Sequence, residues 1–161
     1  MVVSWFGSAT VIKQLVYQYF DERRWRSEIV YKSSSRLKFE VILVANAYQP
    51  VPQSPLIKLV KVDLGADVAD HYIIEHCEPP DIVITADVPL AYHIVKKGAL
   101  ALNPRGEVYD EENIGERLAF RDLMKDLRDS GEVKGGPPPF GPKDKANFAN
   151  SFNKHITKRM K

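Results

Sequence analysis

The chain has 161 residues, 44% of them hydrophobic, enough to bury a core as one domain without disulfide support, and its single cysteine, Cys77, excludes an internal disulfide and fits a reducing compartment. No apolar run reaches the roughly 20 residues of a membrane helix, and residues 1–5 lack the basic start of a secretory signal, so a cytoplasmic protein is expected. The net charge of +2 is uneven: residues 132–161 carry +5 against −3 for the remainder, a basic tail that fits either a phosphate contact or a solvated helix face.

Residues 2–9 read as a short first strand, with Gly7 and Ser8 turning out of it. Apolar residues at 11, 12, 15, 16, 19 and 20 recur at helical spacing, so a helix is expected over 11–20. Residues 21–38 are charged and polar. Arg23, Arg24 and Arg26 around Trp25 have the composition of a nucleic-acid patch, because guanidinium binds phosphate and indole stacks on bases; a solvated helix end and a loop is the simpler reading. Residues 39–45 form a buried strand ending at Asn46. Pro50, Pro52 and Pro55 then exclude helix and central strand, leaving a loop over the sheet. Residues 57–62 supply the next strand, ending at Asp63.

Asp67 opens a helix running through Ile74, with Asp70 in its first turn. One reading makes Asp67 an N-cap; the other points both carboxylates at one site. Residues 81–85 are a fully buried strand with Asp87 at its carboxyl end, and a helix from Pro89 to Lys97 stops at Gly98. Residues 99–102 form a short strand ending at Asn103-Pro104-Arg105-Gly106. Asp110 is expected to cap a long helix with apolar positions Ile114, Leu118, Phe120, Leu123, Met124 and Leu127, ending at Gly131. The Gly/Pro run 135–142 is irregular. Phe148, Phe152 and Ile156 mark a terminal helix at about 143–158 with a basic outer face.

Alternating strands and helices predict a single α/β domain over 1–161, a mostly parallel sheet with helices on both faces. Such sheets bind ligands at their carboxyl edge, where Asn46, Asp63, Asp87 and Asn103 gather. Asp67, Asp70 and Asp87 are hard oxygen donors suited to Mg²⁺ or Mn²⁺ rather than Zn²⁺, and such an ion would activate water against a phosphodiester. No glycine-rich dinucleotide or P-loop motif is present, and His71, His76, His93 and His155 share no zinc spacing with Cys77.

Several motifs carry a resemblance. Val44-Ala45-Asn46, Val51-Pro52-x-Ser54-Pro55, Asp67-Val68-Ala69-Asp70, Ile84-Thr85-Ala86-Asp87-x-Pro89-Leu90-Ala91, Asn103-Pro104-Arg105-Gly106, and Arg121-Asp122 followed by Gly135-Gly136-Pro137 resemble the YaiI/YqxD family of uncharacterised bacterial proteins, over roughly residues 39–152. That family is similar to the PIN-like nucleases. The resemblance implies a Rossmann-like, PIN-like three-layer sandwich with a divalent cation held by Asp67, Asp70 and Asp87. The leading expectation is therefore hydrolysis of RNA or another phosphodiester, with Arg105 or Arg121 on phosphate. The family usually begins with a strand running into Asp-Ala-Asp-Ala-Cys-Pro-Val. Residues 11–13 match the positions just after that motif, so Trp5-Phe6-Gly7-Ser8-Ala9-Thr10 stands in its place, without either acid, and residues 25–35 read as an insertion. The rival expectation is a non-catalytic module binding RNA or a protein partner. A third is a small-nucleotide binder at the same edge.

Overall fold

Side chains along the strands alternate between two apolar cores, the signature of a sheet buried on both sides. A computed structural model of the chain describes residues 2–3, 12–14, 24–46, 48, 50–65, 67–136 and 138–159. In chain order the elements are β1 (Val2–Val3), β2 (Ile12–Gln14), α1 (Arg24–Leu37), β3 (Val41–Ala45), β4 (Ile57–Lys61), α2 (Val68–His76), β5 (Ile82–Ile84), α3 (Val88–Lys96), β6 (Leu100–Leu102), β7 (Val108–Tyr109), α4 (Ile114–Asp129) and α5 (Pro142–Arg159). The strand order is β4-β3-β2-β5-β6-β7. Strands β2 to β6 run parallel, β7 returns antiparallel on β6, and β1 lies antiparallel against β3 and β5.

Val41, Leu43 and Ala45 of β3, Ile82 and Ile84 of β5 and Leu102 of β6 face a core closed by Val30 of α1 and by Phe148, Phe152 and Ile156 of α5. Val44, Val83 and Ala101 point the other way, onto Ile73 of α2, Leu90 and Ile94 of α3 and Ile114 of α4. Helices therefore cover both faces, as the alternation of elements predicts. No helix among the described residues is long and apolar enough to cross a membrane.

Three expectations are corrected. Within the helix expected over 11–20, Ile12–Gln14 is a strand between β3 and β5; residues 11 and 15–20 lie outside the described residues, as do 4–9 of the expected first strand. Two flanking strands, each with unpaired backbone groups to satisfy, outweigh a local helical stripe. The segment read as a loop is largely α1. Ser33 and Ser34 lie buried on it, and the Ser34 hydroxyl donates to the Phe39 carbonyl, so small polar residues of modest helix propensity serve a close approach. Asp110 caps the long helix as expected, through the turn that leads into α4: its Oδ1 accepts from the Asn113 amide at 2.9 Å, the Asn113 Oδ1 accepts from the Asp110 amide at 2.9 Å, and the Asp110 carbonyl accepts from the Ile114 amide at 3.0 Å. Strand β7 has no counterpart among the expected elements, because two residues are too short to show alternation.

Candidate functional site

Because β2 to β6 are parallel, their carboxyl ends share one edge. Asn46 follows β3, Asp63 lies two residues past β4, Thr85-Ala86-Asp87 leaves β5 and Asn103 follows β6. Thr85 is buried, and its amide donates to the Leu102 carbonyl at 3.0 Å, which holds the end of β5 against β6. The Thr85 hydroxyl accepts from the Asp87 amide at 3.0 Å, and Asp87 Oδ1 accepts from the Leu90 amide at 3.0 Å. Asp87 is thus the N-cap of α3, with Pro89 in the first turn, and satisfies one of the donors that every helix start leaves unpaired. We expect Asp87→Ala to cost about 1 kcal/mol in urea denaturation and Asp87→Asn a few tenths, since asparagine caps nearly as well.

Asp67 stands at the N-cap position of α2, but its side chain makes no capping bond. It is exposed, with φ 65° and ψ 3°, and its carbonyl accepts from the His71 amide at 2.8 Å. Asp70 is buried in the first turn of α2. Asp63 is exposed and Asn46 half-buried. Among the described residues, no three His, Cys, Asp or Glu side chains come together as a group that could hold a metal. Asp67, Asp70 and Asp87 have the right chemistry for a hard cation, yet as placed they do not form a complete three-carboxylate site.

Asn103 organises the turn between β6 and β7. Its Nδ2 donates to the Tyr109 hydroxyl at 2.7 Å, its Oδ1 accepts from the Arg105 amide at 2.7 Å, and its carbonyl accepts from Gly106 at 2.8 Å. Burial raises the Tyr109 phenol pKa, with the Asn103 bond opposing it. Arg105 reaches across to the start of α5. It pairs with Asp144 at 3.0 Å, donates to the Pro138 carbonyl and lies 4.0 Å over the Phe140 ring. The Gly141 amide bond, and then the Arg105 charge, hold the Asp144 carboxyl below its usual range. The guanidinium expected on phosphate is thus engaged inside the protein. Arg121, its other candidate, lies exposed on α4 and pairs with neighbouring Asp122 at 2.8 Å.

Cys77 is buried at the end of α2, where its thiol donates to the Ile74 carbonyl at 3.7 Å. Desolvation pushes its pKa up to about 11, so it is a poor nucleophile at neutral pH. The folded pKa lies above the ordinary thiol value of 9.0, so the thiol's stabilising contribution is intact below pH 9 and lost as pH rises towards 11. Melting temperature should fall over that window more steeply in the native chain than in Cys77→Ala, which a pH series of thermal melts would read.

Two features escaped the sequence. Phe120 and Leu123, two of the apolar positions expected along α4, are 58% and 54% exposed, because the helix turns them away from the side on which Ile114 is buried. Along α5 the basic outer face was legible, but its freedom from acid was not. Lys143, Asn147, Asn150, Lys154 and Lys158 are exposed on one side, and Asp144, the helix's one acidic residue, is turned to Arg105 and the Gly141 amide.

A parallel α/β sheet with a polar carboxyl edge defines a broad class of proteins that bind ligands at strand ends. Within it, the sequence model of the uncharacterised bacterial YaiI/YqxD family matches residues 26–158, and the chain belongs to that family. It is 50% identical over 133 residues to a UPF0178 protein of Maridesulfovibrio salexigens, covering 83% of this chain and 88% of the relative. A UPF0178 protein of Trichlorobacter lovleyi is 51% identical over 134 residues, 83% and 87% of the two chains. One from Pseudomonas fluorescens is 48% identical over 131 residues, 81% and 87%. No solved structure matches the chain. The family match starts at residue 26 and takes in nearly all of α1, so the supposed insertion at 25–35 is for the most part family sequence, and the divergence lies before it.

Proposed function

We propose that the protein is an RNA-binding module whose contact surface is the outward face of α5. The observation that carries this reading is the acid-free row Lys143, Asn147, Asn150, Lys154 and Lys158. At 1.5 Å per residue the row spans about 22 Å, long enough to follow several phosphates of one strand. Lysines neutralise phosphate irrespective of sequence. The two asparagines add amide groups that both give and accept hydrogen bonds, and so suit the 2′-hydroxyl of RNA. The test is fluorescence anisotropy with a short single-stranded RNA over a salt series. Engagement of three lysines gives a slope of log affinity against log salt of about −2. Affinity that does not change with salt would sink the proposal, and capture of a protein instead of RNA would replace it.

A second reading, a phosphodiesterase or ribonuclease dependent on Mg²⁺ or Mn²⁺, is favoured by Asp67. An exposed aspartate in a left-handed conformation that does no capping is a residue to examine for function. Asp67, Asp70 and Asp87 would be the ligands of such an ion, although as placed they do not form a three-carboxylate group. Mn²⁺ titration decides: saturable binding with RNA cleavage, both lost in Asp87→Asn, would carry this reading over the first.

A further inference from the structure

The order of side chains along the α5 row fits one form of RNA, an inference that rests on α5 being the RNA-binding face. At 100° per residue Lys143, Asn147, Asn150, Lys154 and Lys158 fall within an arc of roughly 80° on the side away from Phe152. Cations stand at the two ends of this line and amides between them. Lys143 and Lys154 are about 16 Å apart along the axis, with Asn147 and Asn150 in the gap and Lys158 a turn beyond. The rings of Phe148 and Phe152 are buried on the opposite side, in the core beneath the sheet. A single strand bound without sequence preference is held partly by exposed rings on which its bases stack, and the α5 face offers none among the described residues. A duplex conceals its bases and presents phosphates and 2′-hydroxyls, the groups that lysine and asparagine side chains bind.

We propose that the occupant of this face is an A-form RNA duplex, with α5 lying across its minor groove. Lys143 meets the phosphates of one rim, Lys154 and Lys158 those of the other, and Asn147 and Asn150 reach the 2′-hydroxyls between them. The minor groove of A-form RNA is wide and shallow, so a helix about 10 Å across can lie in it. That of B-form DNA is only about 6 Å wide and carries no 2′-hydroxyl. The row therefore separates RNA from DNA duplexes, although both are polyanions. Asp144, the one acid of α5, is held by Arg105 at 3.0 Å and by the Gly141 amide at 2.9 Å, so no carboxylate stands in the line to repel either rim.

Fluorescence anisotropy of the full chain at low salt tests this with three probes of one sequence, each about 16 nucleotides or base pairs long: single-stranded RNA, RNA duplex and DNA duplex. The RNA duplex is expected to bind about tenfold or more tightly than either of the others. Asn147→Ala with Asn150→Ala should bring the RNA and DNA duplexes within about threefold of each other. Both side chains are exposed and alanine is the better helix former, so the double variant folds, which circular-dichroism melts would check. Equal affinity of the native chain for RNA and DNA duplexes overturns the proposal, as does discrimination that survives in the double variant. Single-stranded RNA bound as tightly as the RNA duplex also overturns it, while a salt slope for that strand leaves α5 as an RNA surface. Salt-independent binding, or none, with every probe removes the reading of α5 and this inference together.

Discussion

Replacing Gly106 by alanine is expected to cost about 3 kcal/mol and to lower the melting temperature by about 6–12 °C, which differential scanning calorimetry would measure. Gly106 has φ +94°, a conformation that L side chains adopt with strain, and an added Cβ would stand 2.5 Å from the Asn147 carbonyl carbon, 2.6 Å from its oxygen and 2.8 Å from the Phe148 nitrogen. These are backbone atoms of α5, so relief requires the whole helix to shift. The Gly106 carbonyl also accepts from the Ser151 hydroxyl at 2.6 Å, and moving the turn away would break that bond too. Displacing α5 would loosen Phe148 and Phe152, whose rings stack at 6.0 Å beneath the sheet. Gly115→Ala is the control: nothing lies within 4 Å of its added Cβ and the residue is helical, so a gain of about 0.5–1 kcal/mol is expected. A Gly106→Ala melt within 2 °C of native, roughly 1 kcal/mol or less, would show that the turn and α5 separate freely.

The legibility of each element in the sequence tracks the range of the forces that form it. Strands β3 and β5 were readable because burial on both faces demands an unbroken apolar run. The terminal helix was readable because Phe148, Phe152 and Ile156 keep one face apolar over two turns. The gathering of polar residues at one edge followed from parallel strands alone. Long-range effects stayed hidden. Strand β2 forms where β3 and β5 lie on either side of it, and that geometry leaves no mark on a local helical stripe. Arg105 has the charge of a phosphate ligand, but its partners lie 33 and 39 residues on, at Pro138 and Asp144. Asp87 shows both sides. Its place at the end of β5 was legible, whereas its bond to the Leu90 amide makes it a cap as well as a candidate ligand. The acidic edge therefore has a structural occupation at the aspartate on which the sequence placed most weight, whereas the lysines of the α5 face form no ion pair among the described residues.

The largest functional effect should come from that face. The triple variant Lys143→Glu, Lys154→Glu, Lys158→Glu is expected to bind single-stranded RNA about 100-fold or more weakly at low salt, with the salt slope of about −2 abolished. Each reversal removes a phosphate contact and adds a repulsive charge, so the loss exceeds that from three alanines. Stability should hardly change, because all three side chains are exposed and none forms an ion pair among the described residues. Lys96→Glu with Lys125→Glu supplies the comparison: both lysines are exposed, on α3 and α4, which pack on the opposite face of the sheet from α5. General electrostatic attraction would make these reversals nearly as damaging per charge, whereas a dedicated surface leaves affinity within about threefold of native. Equal losses per charge in the two variants would remove α5 as the binding face, and an unchanged triple variant would remove RNA binding by this helix altogether.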